Sequence, residues 1–337
     1  MIEIDALDSY DAVYPLWQGL SRRYKGGELA LDWKIHDHIW TRFHAEKGAK
    51  LKIVVASEAG ECVGILPFAK WPREEEDWTF GEDAIISREY FCPPSRIHAL
   101  IPHLPPHAST DLSCFYQPEN VSAFLPRPGC VADLKASEEE YLLSLGPKRR
   151  AEYLKTLKMN EDVEVVVERS VREDIVAELR ARYIEFWMLK NQRNAKSDAA
   201  DSGEKIAMDF ALFRRAAEIG KLVALHFFLG GKLVAANFAV LRERDRVDDY
   251  LCLRDTDRTY AKRRLGILAI IRNMQVCRTL GVRYYDLSDF RAGYKDVFIN
   301  TELCYWLPSF PGSAPFSTPA LQPRRSPTAA PDSGGGA

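Results

Sequence analysis

One pattern is written twice in this chain. Leu51-Lys-Ile-Val-Val-Ala-Ser-Glu-Ala-Gly60-Glu61-Cys62-Val63-Gly64-Ile65 and Leu222-Val-Ala-Leu-His-Phe-Phe-Leu-Gly230-Gly231-Lys232-Leu233-Val234-Ala235-Ala236 share their order of elements. Each holds a β-rich run, a glycine turn followed by a charged residue, and a second β-rich run. Gly60 and Gly231 stand 171 residues apart. Two such units in register predict equivalent β-hairpins over 50–68 and 221–239, in two similar sheets. Helical stretches precede both, roughly 33–47 in one case and 172–190 plus 205–219 in the other. A chain of 337 residues has the length for about two domains, each with its own core.

Downstream of the second hairpin the order is regular. A strand over Asp249–Arg254 precedes a helix led by Gly266 and running to about Leu280. A strand over 282–287, a short helix near 292–299 and an apolar strand Leu303–Leu307 follow. Strands alternating with helices of this length predict an α/β fold, mixed sheets flanked by helices. After the first hairpin, Pro93, Pro94, Pro102, Pro105 and Pro106 crowd the place where a glycine-led helix would stand. The N-terminal copy is therefore expected to be degenerate and without a donor site. The expected organisation is a first domain over 1–140, a second over 141–307 and a disordered Pro/Ser/Ala/Gly tail over 308–337.

Composition excludes several classes. A hydrophobic fraction of 46% and a net charge of −2 are those of a globular protein without a global pull toward DNA or anionic membrane. The seven cysteines lack any paired spacing, so they read as buried thiols of a reducing compartment, with no metal site. No signal peptide opens the chain and no apolar run is long enough for a transmembrane segment, so the expected location is cytoplasmic. P-loop, GxGxxG and GxSxG signatures are missing, which argues against nucleotide hydrolysis, dehydrogenase chemistry and serine hydrolysis.

The chemistry-bearing stretch runs from Asp257 to Lys295. It reads Asp257-Arg258-Thr259-Tyr260-Ala261, then Arg263-Arg264-Leu265-Gly266-Ile267-Leu268, then Asp286 at a strand end and Gly293-Tyr294-Lys295. A glycine at the start of a helix after a strand lets backbone N–H groups approach an anion. These residues resemble the GNAT acyltransferase superfamily. Within it they resemble the CelD/BcsL-type acetyltransferase-like family, tandem GNAT proteins related to the Fem-type aminoacyltransferases. The match lies in Asp257-x-x-Tyr260-Ala261, in Gly266 of the following triplet, and in Asp286 with Tyr294-Lys295. It covers about 150–307 well and the first half weakly. Leu268 departs from the GNAT phosphate loop, since a branched side chain stands where the pattern has a small residue.

The resemblance implies an acyl group moved from acetyl-CoA or another acyl-CoA to an amine or hydroxyl of a sugar, polysaccharide precursor or related small acceptor. An aminoacyl-tRNA donor and a non-catalytic scaffold of an envelope-polymer pathway are the alternatives. It implies Tyr294 as general acid and Lys295 as a phosphate-holding lysine. Arg263, Arg264, Gly266 and Ile267 would line the donor phosphates. Asp286 would deprotonate the amine or orient Arg291 or Lys295, with a structural ion pair as the other reading. Asp257 and Tyr260 would bind substrate or cap the turn. Arg149 and Arg150, in the basic run from Lys148 through Lys155 to Lys158, would hold an anionic acceptor, and Trp187 sits where the family often carries an aromatic.

Overall fold

The computed structural model describes residues 2–23, 37, 40–70, 79–80, 109–110, 124–175, 177–178, 199–242, 245–255, 257–287, 295–301 and 304–308. Both anticipated hairpins form. The first joins β2 (Lys50–Glu58) to β3 (Glu61–Lys70), and the second joins β9 (Leu222–Leu229) to β10 (Lys232–Leu241). Their two-residue turns have the same conformation. Ala59 and Gly60 have φ of 53° and 76°, and Gly230 and Gly231 have 57° and 76°. Positive φ at both central residues is the requirement of a type I′ turn, which matches strand twist. The pairing also slips at the same place. Ala56↔Gly64 is followed by Ser57↔Cys62, and Phe227↔Ala235 by Phe228↔Leu233, so Val63 and Val234 are the extra residues of equivalent bulges.

The likeness extends to whole sheets. β1 (Ile2–Leu7), β2, β3, β4 (Thr79–Phe80) and β5 (Ser109–Thr110) lie in that spatial order. Their three antiparallel pairings end in one parallel pairing, β4 with β5. The second sheet repeats this with β8 (Glu164–Glu168), β9, β10, β11 (Arg246–Arg254) and β12 (Tyr284–Asp286), β11 and β12 being parallel. The duplication is therefore topological as well as local.

One strand departs from the expected division at residue 140. β7 (Val131–Asp133) pairs antiparallel with β12 and closes the second sheet. Its outer edge is occupied by the Asn300 amide, whose Oδ1 accepts from Asp133 N–H at 2.9 Å and whose Nδ2 donates to Asp133 C=O at 2.8 Å. An unpaired edge invites further pairing, and this side chain occupies the groups that would template it. The apolar strand expected at 303–307 is present as β13 (Cys304–Pro308), paired with β6 (Phe124–Pro128).

Helices cover the sheets. In α1 (Tyr10–Arg23), Tyr10, Val13, Trp17 and Leu20 repeat at helical spacing and are all buried, which turns one stripe inward. Helices α2 (Glu138–Ser144), α3 (Pro147–Lys158) and α5 (Leu265–Thr279) contribute to one core of the second sheet. The other core is built under α4 (Ala199–Glu218), where Phe213 stacks on Phe238 with ring centroids 4.9 Å apart. The helix expected at 33–47 is described from Trp40, as a π-helical turn Trp40–His44 and a 3-10 turn Ala45–Lys47. The one expected near 292–299 is described as the 3-10 turn Lys295–Val297.

Candidate active site

The parallel strands β11 and β12 part early. Their register is Arg246↔Tyr284, Val247↔Tyr285 and Asp248↔Asp286, after which β12 ends while β11 runs on to Arg254. Just past the last pair, β11 carries a bulge, because Ala239↔Asp249 is followed by Phe238↔Leu251 and Tyr250 is left over. Among the described residues, no strand pairs the β12 side of β11 beyond Asp248. A sheet that opens at the carboxyl ends of parallel strands offers a crevice, and bulges re-aim side chains into such places. The chain then passes through the 3-10 segment Arg258–Arg263 into α5.

At that N-terminus Arg264 has φ 54° and ψ 45°, a left-handed residue before the first helical one. Its C=O accepts from Ile267 N–H at 2.9 Å and Leu268 N–H at 3.1 Å. The amides of Leu265 and Gly266 thus precede the first intrahelical bonds. A Cβ built on Gly266 would meet only the Arg254 side chain, with Cδ at 3.8 Å and Nη1 at 3.9 Å. Helix N–H groups and a guanidinium converge here, a combination suited to phosphate. Leu268, the branched residue at the small-residue place of the pattern, is fully buried in the core beneath α5. It faces away from the N-terminal amides, so the departure from the small-residue pattern closes nothing.

A polar network fills the wall of the crevice. Cys277 Sγ–H donates to Asn273 Oδ1 at 3.1 Å, and Asn273 Nδ2 donates to Asn237 Oδ1. Asn237 Nδ2 donates to Asp249 Oδ1 at 2.7 Å, and Tyr285 Oη–H reaches the same oxygen at 3.1 Å. Asn237 and Asn273 have no exposure, so every amide orientation is dictated by a partner. Burial pushes the Asp249 carboxyl above its ordinary pKa, against the lowering pull of Asn237, Tyr285 and Lys295. Burial likewise raises the Tyr285 phenol, keeping it a neutral donor, and pushes the Cys252 thiol up to about 12.

The anticipated site residues divide into several groups. Lys295 lies beside this crevice, with Nζ donating to Leu287 C=O at 2.6 Å. Its turn is tied to α2 and α3, through Tyr141 Oη–H to Phe298 C=O at 2.7 Å and Arg149 Nη1 to Ile299 C=O at 2.7 Å. Asp286 is buried and faces the Arg246 guanidinium at 3.3 Å, beside Asp248, which holds both Arg242 and Arg246. Since Tyr285 and Asp286 are successive strand residues, they serve opposite faces, and Asp286 is on the side away from Asp249. Arg263 grips Asp162 with both nitrogens, at 2.6 and 2.9 Å, and Arg264 pairs with Glu152 on α3. Ile267 packs its side chain on the core.

Asp257 caps the 3-10 segment, accepting from Thr259 N–H and Oγ1–H, each at 2.9 Å. Tyr260 packs against the core, with the Lys232 ammonium 5.3 Å from its ring centroid. On α3, Lys148, Arg149, Lys155 and Lys158 are exposed, and Arg150 is half-buried with Nε lacking a hydrogen-bond partner among the described residues. Tyr294, Arg291 and Trp187 lie outside the described residues. Sequence reasoning missed Asp249, Asn237 and Tyr285. The signal was Asp248-Asp249 inside an apolar strand, which must send one carboxylate to each face.

Among the described residues there is no cluster of three or more potential metal ligands, and no helix long and apolar enough to cross a membrane. The second sheet opens in front of a helix N-terminus and follows a first sheet of the same strand order, which is the architecture of an acyltransferase-type fold. Residues 147–296 match the family model of the acetyltransferase (GNAT) domain. No curated protein matches the sequence. Three solved structures resemble the fold. FemX aligns at TM-score 0.52 and 11% identity, over 90% of this chain and 95% of its own. A conserved protein of unknown function from Bacteroides thetaiotaomicron VPI-5482 aligns at 0.51 and 14%, over 91% and 98%. The C-terminal domain of a putative lysylphosphatidylglycerol synthetase from Agrobacterium fabrum aligns at 0.50 and 14%, over 88% and 92%. Residues 147–296 thus match a GNAT acetyltransferase domain, and the chain shares its fold with these three structures.

Proposed function

We propose that the C-terminal half transfers an acyl group from acyl-CoA to an amine or hydroxyl of a sugar, a polysaccharide precursor or a related small acceptor. The observation that carries this reading is the parting of β11 and β12 directly ahead of the α5 N-terminus. An extended acyl-bearing chain can lie along the open edge of β11 as an added strand. Its phosphates then meet the Leu265 and Gly266 amides and the Arg254 guanidinium, where room exists because Gly266 has no side chain. Arg263 and Arg264 join the phosphates if they exchange Asp162 and Glu152 for the ligand.

In this reading Tyr294 protonates the leaving thiolate and Lys295 holds a phosphate or orients the acceptor. Asp286 supports the crevice through Arg246, while Asp257 and Tyr260 shape the donor loop. The N-terminal sheet, with β1 to β5, is the degenerate partner domain, and the C-terminal unit includes β7. Free thiols and an acyl-CoA donor fit a cytoplasmic location. Thermal-shift titration with acetyl-CoA, longer acyl-CoAs and CoA tests the proposal. Saturable stabilisation by CoA species supports it, and none by any of them sinks it.

The exposed basic face of α3 favours a second reading, an aminoacyl-tRNA donor. Salt-dependent binding of charged tRNA, with no response to CoA, would select it.

A further inference from the structure

Resting on the acyl-transfer reading, we infer that Asp249 is the residue that takes the proton from the acceptor, and that the acceptor presents a cationic primary amine. The geometry is specific to this carboxylate. Its Oδ1 is fixed by Asn237 from β10 and Tyr285 from β12. Oδ2 has no hydrogen-bond partner among the described residues, and the residue as a whole keeps some exposure. Asp249 stands one residue past the last β11–β12 pair and beside the bulge, so the free oxygen sits where the strands open.

Among the described residues no ion pair holds its charge, whereas its neighbours' charges are paired. Asp248 is held by Arg242 and Arg246, and Asp286 by Arg246. Asp249 receives only an amide and a phenol, both neutral. Burying a carboxylate without a cation is costly, and such groups concentrate where a ligand supplies the missing charge. The groups facing it are Lys295 from the 3-10 turn, Asp248 and Cys252 from its own strand, Tyr285 from β12 and Cys277 from α5. Lys295 is the cation among them, and its ammonium is engaged with Leu287 C=O. Burial raises the Asp249 carboxyl toward the range of a usable base.

The step balances as follows. R–NH3+ gives one proton to Asp249 Oδ2, and the freed nitrogen lone pair attacks the thioester carbon. The C–N bond forms, the C–S bond breaks, and the thiolate leaves with the bonding electrons and is protonated by Tyr294, which regains its proton from the nitrogen. Asp249 returns its proton to solvent. An ammonium brings the compensating charge, which a neutral hydroxyl does not, and its proton passes to a carboxylate far more readily than an alcohol's.

Two measurements on the full chain test this. The first follows the Asp249 carboxyl by isotope-edited NMR, assigned with Asp249→Asn, through a pH titration and on adding n-butylammonium or n-butanol. A midpoint above the ordinary aspartate value, and a shift with the ammonium alone, are expected. An ordinary or lower midpoint, or an equal response to both probes, overturns the inference whatever the donor. The second measures thiol release from acetyl-CoA with a panel of primary amines. Asp249→Asn should lower kcat by roughly 10²–10⁴-fold with acetyl-CoA affinity unchanged. Wild-type turnover in that variant overturns the role of Asp249, while absent acetyl-CoA binding in the wild type overturns the donor reading and leaves the NMR titration to decide this one.

Discussion

The Arg254 side chain lies across Gly266, its Nη1 3.9 Å from where a Cβ would stand. One methyl fits in that space, and a valine adds two more beside the N-terminal amides. Gly266→Ala should therefore keep the fold and raise helix stability by about 0.5–1 kcal/mol, with donor stabilisation largely retained. Gly266→Val should melt near wild type yet lose the CoA shift. Equal CoA responses in wild type and the valine variant would remove the α5 N-terminus from donor binding.

Arg263 distinguishes a brace from a phosphate ligand. Its pair with Asp162 is largely exposed, so Arg263→Ala should cost no more than about 1 kcal/mol in unfolding. Asp162→Asn frees the guanidinium fork. If the fork reaches donor phosphate, acetyl-CoA binds more tightly to Asp162→Asn and more weakly to Arg263→Ala. Unchanged affinity in both makes the pair a surface brace between the α3–β8 loop and the 3-10 segment.

Tyr294 and Lys295 should separate kinetically. Tyr294→Phe keeps the ring and removes the proposed acid, so turnover should fall roughly 10²–10⁴-fold with donor affinity unchanged. Lys295→Ala should raise KM for the substrate it grips, with a smaller change at saturation. Full activity in Tyr294→Phe would take the tyrosine out of the mechanism.

His226 predicts an acid-sensitive fold. It is buried on β9, with Nδ1 3.2 Å from Glu168 Oε2, yet neither ring nitrogen makes a hydrogen bond among the described residues. Burial, then Arg172, push its pKa down to about 4, against the pull of Asp174. The unfolded chain takes up this proton first, near pH 6.5, so stability is complete above that value. It declines as pH falls through about 4, by up to roughly 3 kcal/mol. Urea unfolding of His226→Gln should show a flatter dependence across that window. Identical slopes in variant and wild type would refute this account.

The parts legible in the sequence were those with local causes. The glycine turns and β-rich runs of both hairpins dictate their own geometry, whereas the bulges at Val63 and Val234 carried no signal read in the sequence. The helix behind Gly266 was legible for the same reason. Leu268 was misread because a pattern position carries no direction, and helical phase turns that side chain into the core. Arg263 and Arg264 looked free in sequence, since their carboxylate partners come from a different element. Asp249 stayed hidden because its donors arrive from β10 and β12, an arrangement only tertiary pairing creates. The membership of β7 in the second sheet had no local signal at all.

That last strand has a consequence for how the molecule is made. During synthesis β7 emerges long before β12, and this pairing waits until Tyr284–Asp286 has left the ribosome. Pairing between such distant segments is slow, because loop closure precedes any gain from contact. Production of a fragment starting at residue 141 would leave the β12 edge bare and prone to self-association, whereas one starting ahead of Phe124 would carry the strand needed to seal it.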